Sequence, residues 1–163
     1  AKQAATSYEK VDDLATLEDH GVDVVGCFET LEHLTEPETS ELVLTLDRLL
    51  TADGKLVASV PIVAGPVLLL KEANRSILFR RRTDYSAREL LRASLLGQPA
   101  HRAENIKTSH KGFDYRTVEA SLGETLQLLV RQYSPFSRGP WWINSQVLYL
   151  YGRKGDDATL GYS

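Results

Sequence analysis

The sequence predicts an α/β fold built on a mostly parallel sheet, and three stretches carry that prediction. Val22 to Phe28 is an apolar run with β-branched residues, which suits a strand covered on both faces of a parallel sheet. Between residues 21 and 61 the pattern reads strand, helix, strand, the span of a right-handed crossover unit. Thr125 to Tyr133 and Asn144 to Tyr151 are β-rich and separated by Ser134-Pro135-Phe136-Ser137-Arg138-Gly139-Pro140. So short a Pro/Gly connection cannot join parallel neighbours, so these two are expected as an antiparallel hairpin at a sheet edge.

In chain order, Ser7 to Val11 reads as a short strand with Asp12-Asp13-Leu14 as its exit turn. Gly21 opens the central strand, which turns abruptly into Glu29-Thr30-Leu31-Glu32-His33. Thr35 with Glu38 three residues on is a capping box, and Pro37 lies in the tolerant first turn of a helix. Leu42, Leu46, Leu49 and Leu50 follow at helical spacing and should dock on the sheet. Ala52-Asp53-Gly54-Lys55 reads as a turn before a buried strand that Pro61 ends. Pro66 to Phe79 is expected as a mostly apolar helix ending in Arg80-Arg81-Arg82. Ser86-Ala87-Arg88-Glu89 is a second capping box, opening a helix that stops at Gly97. Gln98 to Thr108 has no period and reads as a loop or lid. Asp114 is expected to cap a helix over Tyr115 to Leu122 closed by Gly123, and Gly155 to Ser163 reads as a polar tail.

Composition narrows the classes. The chain has 163 residues, 42% hydrophobic and 25% charged, as expected for one globular domain with a real core. A net charge of −3 argues against broad nucleic-acid binding, and no apolar stretch approaches the ~20 residues that span a bilayer. No membrane partner is therefore expected. The lone cysteine, Cys27, cannot form an intramolecular disulfide, which favours a cytoplasmic location.

Three stretches together resemble the class I S-adenosylmethionine-dependent methyltransferases. GVDVVGCFETLEHL is similar to the family's fourth strand and its E-x-L-E-H-type end. LDRLLTADGKLVASVP is similar to the helix, turn and fifth strand that follow, with Ala52-Asp53-Gly54 in place of Pro-Gly-Gly. The closing helix and hairpin are similar to the family's terminal antiparallel pair. The resemblance implies a Rossmann-like methyltransferase sheet, mostly parallel, with a terminal antiparallel hairpin and its first strands missing. The glycine-rich cofactor loop and the acidic ribose-binding residue are not found upstream of Gly21. The expectation is that the sequence omits an N-terminal part. Residues 1–155 are then a partial methyltransferase domain with a substrate insert or lid at 66–108, and 156–163 a flexible tail.

The resemblance also implies site residues. Asp13 is similar to the acidic residue that binds the adenine amino group, with Leu14 supplying an adjacent amide. A solvated turn is the plainer reading of Asp13, and Asp12 competes with it. Cys27, Phe28 and Glu29 end the fourth strand, where the family lines the methionine and transfer region, although core packing would also account for Cys27 and Phe28. Glu29, a carboxylate directly after a buried strand, needs a partner or a site. His33 is similar to a histidine that acts as general base in related O-methyltransferases, and imidazole suits that role because its pKa lies near working pH. Helix-start hydrogen bonding is its structural alternative.

Glu29, Glu32 and His33 with the distant His110 also resemble the metal site of small-RNA 2′-O-methyltransferases. Ubiquinone-pathway O-methyltransferases show a similar E-x-x-E-H stretch. Two carboxylates and two imidazoles would suit Mg²⁺, Mn²⁺ or Zn²⁺. Because E-x-L-E-H also occurs in relatives without metal, no metal is the first expectation. Arg80-Arg81-Arg82 could meet an anionic substrate, and Tyr85, His101, His110, Trp141 and Trp142 could form a substrate rim. The expected activity is methyl transfer from S-adenosyl-L-methionine to a small-molecule acceptor through oxygen. The alternatives are a metal-assisted RNA 2′-O-methyltransferase, or a non-catalytic methyltransferase-like scaffold.

Overall fold

The computed structural model describes residues 10–80, 83–102, 104, 105, 107 and 109–154. Four strands form one sheet: β1 (Val22–Phe28), β2 (Leu50–Pro61), β3 (Leu126–Ser134) and β4 (Gln146–Arg153). The helices are α1 (Glu36–Leu49), α2 (Pro66–Phe79), α3 (Ala87–Leu95) and α4 (Tyr115–Thr125). The strand order is β1-β2-β4-β3. β1 and β2 are parallel and joined through α1, while β4 runs antiparallel to both β2 and β3. The hairpin is thus present, but its second strand enters the sheet and only β3 lies at the edge.

One face of the sheet carries the main core. Leu56, Ala58 and Val60 of β2 and Val147, Tyr149 and Tyr151 of β4 alternate onto it. They meet Val43 and Leu46 of α1 and Val118 and Leu122 of α4. Strand alternation sends every second residue to the opposite face, and here the expectation for β1 needs correcting. Val25 and Cys27 pack against the core, whereas Val24 is 62% and Phe28 57% exposed. β1 is half-buried, not covered on both faces, because among the described residues only the face carrying Val25 and Cys27 is packed against the core.

Both predicted capping boxes form. The Thr35 backbone N–H donates to Glu38 at 2.7 Å and that of Ser86 to Glu89 at 2.9 Å, each returned by the cap hydroxyl. The predicted turn at Ala52–Lys55 is absorbed into β2 as an irregularity, where register jumps from Val22↔Leu50 to Val24↔Lys55. The chain doubles back so tightly there that a Cβ on Gly54 would lie 2.9 Å from the Thr51 backbone. α4 does not stop at Gly123 but continues to Thr125, since Leu122 and Leu126 are both buried and carry the chain straight into β3. Ser7 to Glu9, Arg81, Arg82 and the tail from Gly155 lie outside the described residues, and Lys10 and Val11 have no strand conformation.

Candidate functional site at the carboxyl edge of the sheet

β1 and β2 both end at one edge of the sheet, and antiparallel β4 begins there. Glu29, the first residue beyond β1, adopts a left-handed backbone with φ 50°. Its N–H donates to Ser59 of β2 at 3.2 Å, and its carboxylate accepts from the Gln146 amide of β4 at 2.7 Å. Non-glycine residues held in this conformation cluster at functional sites. Leu31–His33 is a single 3₁₀ turn, anchored by Leu31 in the core.

This turn fixes Glu32 and His33 in contrasting surroundings. Glu32 is fully buried, and among the described residues neither of its carboxylate oxygens accepts a hydrogen bond. Burial, reinforced by the charge of Glu29, pushes its pKa up. His33 Nε2 lies 4.0 Å from Glu32 Oε1 and 3.3 Å from His110 Nε2, with the two rings edge-on. Burial and the neighbouring His33 hold His110 below the ordinary imidazole range. One ligand atom from each of Glu32, His33 and His110 falls within 4.8 Å of the others.

His110 comes from the loop after α3, and that loop is fastened at several points. Arg102 donates to the Glu32 carbonyl, Lys107 to Glu38 at 3.1 Å, and Lys111 to Glu89 at 3.0 Å and the Asp84 carbonyl at 2.8 Å. Phe113, buried in the core, donates its N–H to the His110 carbonyl. Gly112, with φ 73°, is required: a Cβ there would sit 2.6 Å from the backbone of Ala100, His101 and Arg102. Lys107 thus ties the expected loop to α1, and Lys111, beyond that loop, ties the segment that carries His110 to α3.

Cavities flank the cluster's elements, and two of them bear on the expected site residues. One, of about 300 Å³, is lined by His110 together with Val63, Leu68, Lys71, Glu72 and Tyr85. Burial lowers the pKa of Lys71 and raises that of Tyr85 to about 12. The other, of about 730 Å³, is lined by Asp12, Asp13, Leu14, Thr30, Leu34 and Leu42, among others. Asp13 and Leu14 line this cleft, and the Asp13 carboxylate also accepts from the Ala15 N–H at 2.8 Å, capping a 3₁₀ turn. Arg48 of α1 holds this segment through the Leu14 carbonyl at 2.9 Å and the Leu17 carbonyl at 3.1 Å.

The remaining predicted residues divide. Cys27 is partly buried against the core with its pKa raised by burial, whereas exposed Phe28 is not a core residue. Tyr85 joins His110, but Trp141 and Trp142 lie in a separate groove, and His101 is exposed. Arg80 is exposed and apart from the cluster's contacts. Arg102, Lys111 and Gln146 were not foreseen. Their contacts are with residues distant in sequence, and no local pattern marks them.

No family model matches the chain, and no curated protein matches it. Among solved structures, the PH0226 protein from Pyrococcus horikoshii OT3 is similar, with a TM-score of 0.53 and 16% identity over 89% of this chain and 58% of that one. A TehB-like SAM-dependent methyltransferase from Corynebacterium glutamicum ATCC 13032 Kitasato is also similar, at 0.48 and 13% over 89% and 55%. So is the N-methyltransferase NodS from Bradyrhizobium japonicum WM9 in complex with S-adenosyl-L-homocysteine, at 0.44 and 13% over 88% and 52%. This chain therefore spans little more than half the length of these structures. The likeness to PH0226 shows a shared fold and nothing finer. That fold is an α/β sheet in which β1 and β2 run parallel through a helical crossover and β4 and β3 close it as an antiparallel pair. No helix among the described residues is long and apolar enough to cross a membrane.

Proposed function

We propose that this chain belongs to an S-adenosylmethionine-dependent methyltransferase that methylates a hydroxyl oxygen of a small-molecule acceptor. The observation that carries this reading is the His33–His110 pair, 3.3 Å apart beside buried Glu32 at the carboxyl edge of β1 and β2. Open α/β sheets bind ligands at that edge. The cleft beside Asp13 and Leu14 fits the adenosyl part of the cofactor, offering a carboxylate and apolar contacts with Leu34 and Leu42. When bound, the cofactor supplies an electrophilic methyl group whose sulfur departs with the bonding pair.

The chain's own residues position the acceptor and take its proton. The cavity lined by His110, Lys71 and Glu72 would receive the acceptor, with His33 Nε2 3.3 Å from His110 Nε2. His33 accepts the hydroxyl proton at its ring nitrogen, and Glu32 beneath it stabilises the resulting imidazolium. His110, held neutral by burial, orients His33 through the Nε2–Nε2 contact. Glu29, just beyond β1, is held in place by the Gln146 amide of β4. In the whole protein, His33→Ala is expected to lower kcat by ~10²–10⁴-fold while leaving S-adenosylhomocysteine affinity within about threefold. Unchanged turnover would remove His33 from the base role.

One observation favours a second reading: both oxygens of buried Glu32 lack hydrogen bonds. A buried carboxylate without partners is costly unless something else satisfies it. Glu32, His33 and His110 offer the mixed oxygen and nitrogen donors that suit Mg²⁺, Mn²⁺ or Zn²⁺, while Glu29, the fourth residue of the expected set, is hydrogen-bonded to Gln146 instead. A bound cation would supply Lewis-acid activation of the acceptor hydroxyl, as in a 2′-O-methyltransferase acting on ribose. Titration with Mn²⁺ separates the readings. Saturable binding lost in Glu32→Gln supports the metal site, and no binding leaves His33 as the base.

A further inference from the structure

Beyond methyl transfer, the insert between β2 and α4 carries an outer surface that the site does not use. α3 buries Ala93 and Ser94 and, on its opposite side, exposes Leu91 at 53% and Leu95 at 68%. Leu96, just past its end, and Trp142 are also exposed. Leu95, Leu96 and Trp142 line one open groove of about 380 Å³ with Gly65, Pro66 and Trp141. Isolated exposed leucines are ordinary, but a contiguous apolar patch on a helix with a strongly one-sided pattern marks a contact surface.

Charge identifies the occupant. Arg88 and Arg92 lie on the same exposed side of α3 as Leu91 and Leu95, at positions three and four apart. Among the described residues neither makes an ion pair, whereas Arg75 and Lys111 of the same region are paired with Asp84 and Glu89. Residues 66–108 contain nine lysines and arginines against four acidic residues, a net +5 within a chain whose total is −3. The neighbouring α2 adds exposed Leu70, Ile77 and Leu78 and ends at exposed Arg80.

From these observations we infer that α3 and the Trp142 groove form a docking surface for an anionic phospholipid bilayer. Leucines enter the headgroup–acyl boundary, unpaired arginines meet lipid phosphates, and Trp142 sits at headgroup depth, where indole is favoured. This departs from the expectation that membranes play no part, because surface attachment needs no spanning helix. The acidic remainder of the chain keeps the other faces off the bilayer, so the catalytic edge stays accessible.

The test is flotation of the intact protein with phosphatidylcholine vesicles, with and without phosphatidylglycerol, without cofactor or acceptor. The expected result is binding that requires phosphatidylglycerol, weakens with added salt, and shifts tryptophan emission to the blue. The Arg88→Glu/Arg92→Glu protein should bind at least about tenfold more weakly, and Leu91→Ser/Leu95→Ser should lose binding. All four side chains are exposed, so both variants should keep the parental melting temperature. Absence of flotation would overturn the inference. So would a patch-dependent dimer in sedimentation with no vesicle binding, which would assign the surface to a second copy of the chain.

Discussion

Glu32 is a buried carboxylate whose oxygens accept no hydrogen bond among the described residues. Sites that bind or react often store such a cost. In metal-free buffer, Glu32→Gln should raise stability by about 1 kcal/mol or more while abolishing methyl transfer. Equal or lower stability in chemical denaturation would show that Glu32 is satisfied in a way the fold does not reveal. Gly112 makes the opposite case. Its φ of 73° and the 2.6 Å approach of neighbouring backbone leave no room for a Cβ. Gly112→Ala should cost about 1–3 kcal/mol and displace His110, visible as loss of the His33–His110 coupling in imidazole NMR titrations. Glu29, Glu32 and His33 stood out in the sequence, because polar groups directly after an apolar strand announce themselves. That His110 would meet His33 rested on resemblance alone, since nothing local fixes a contact spanning 77 positions.

At the scale of elements, the capping boxes do two jobs. Glu38 closes the N-terminus of α1 and receives Lys107, and Glu89 closes α3 and receives Lys111. The backbone N–H of the cap residue, then the lysine, hold each carboxyl at about 2, below the ordinary 4.5. A depressed folded-state pKa gives stability that is complete above 4.5 and is lost as pH falls towards about 2. Glu38→Gln and Glu89→Gln should each flatten the fall in melting temperature across that window. Parallel pH profiles for variant and parent would contradict the assignment. These boxes were readable because their partners sit three residues apart. The ties made by Arg102, Lys107 and Lys111 were not, since each reaches a residue distant in sequence. The overlong α4 has the same cause: the buried pair Leu122 and Leu126 overrides the expected stop at Gly123.

For the whole molecule, the sequence pattern carried the α/β class, the β1–α1–β2 crossover and the closing hairpin. It did not carry the insertion of β4 between β2 and β3, which depends on pairing across more than 80 residues. Nor did it distinguish a strand buried on both faces from β1, whose alternate residues Val24 and Phe28 are exposed. Arg48 links the scales, tying the Asp13–Leu17 segment to α1 so that the candidate cofactor cleft has a fixed wall. The central claim is that this edge of the sheet serves a methyl donor. Isothermal titration of the whole protein with S-adenosylhomocysteine tests it most directly. The account predicts saturable one-site binding, weakened at least about tenfold by Asp13→Ala, the cost of losing one charge-assisted hydrogen bond. No detectable binding would contradict the account and leave the chain as a methyltransferase-like scaffold.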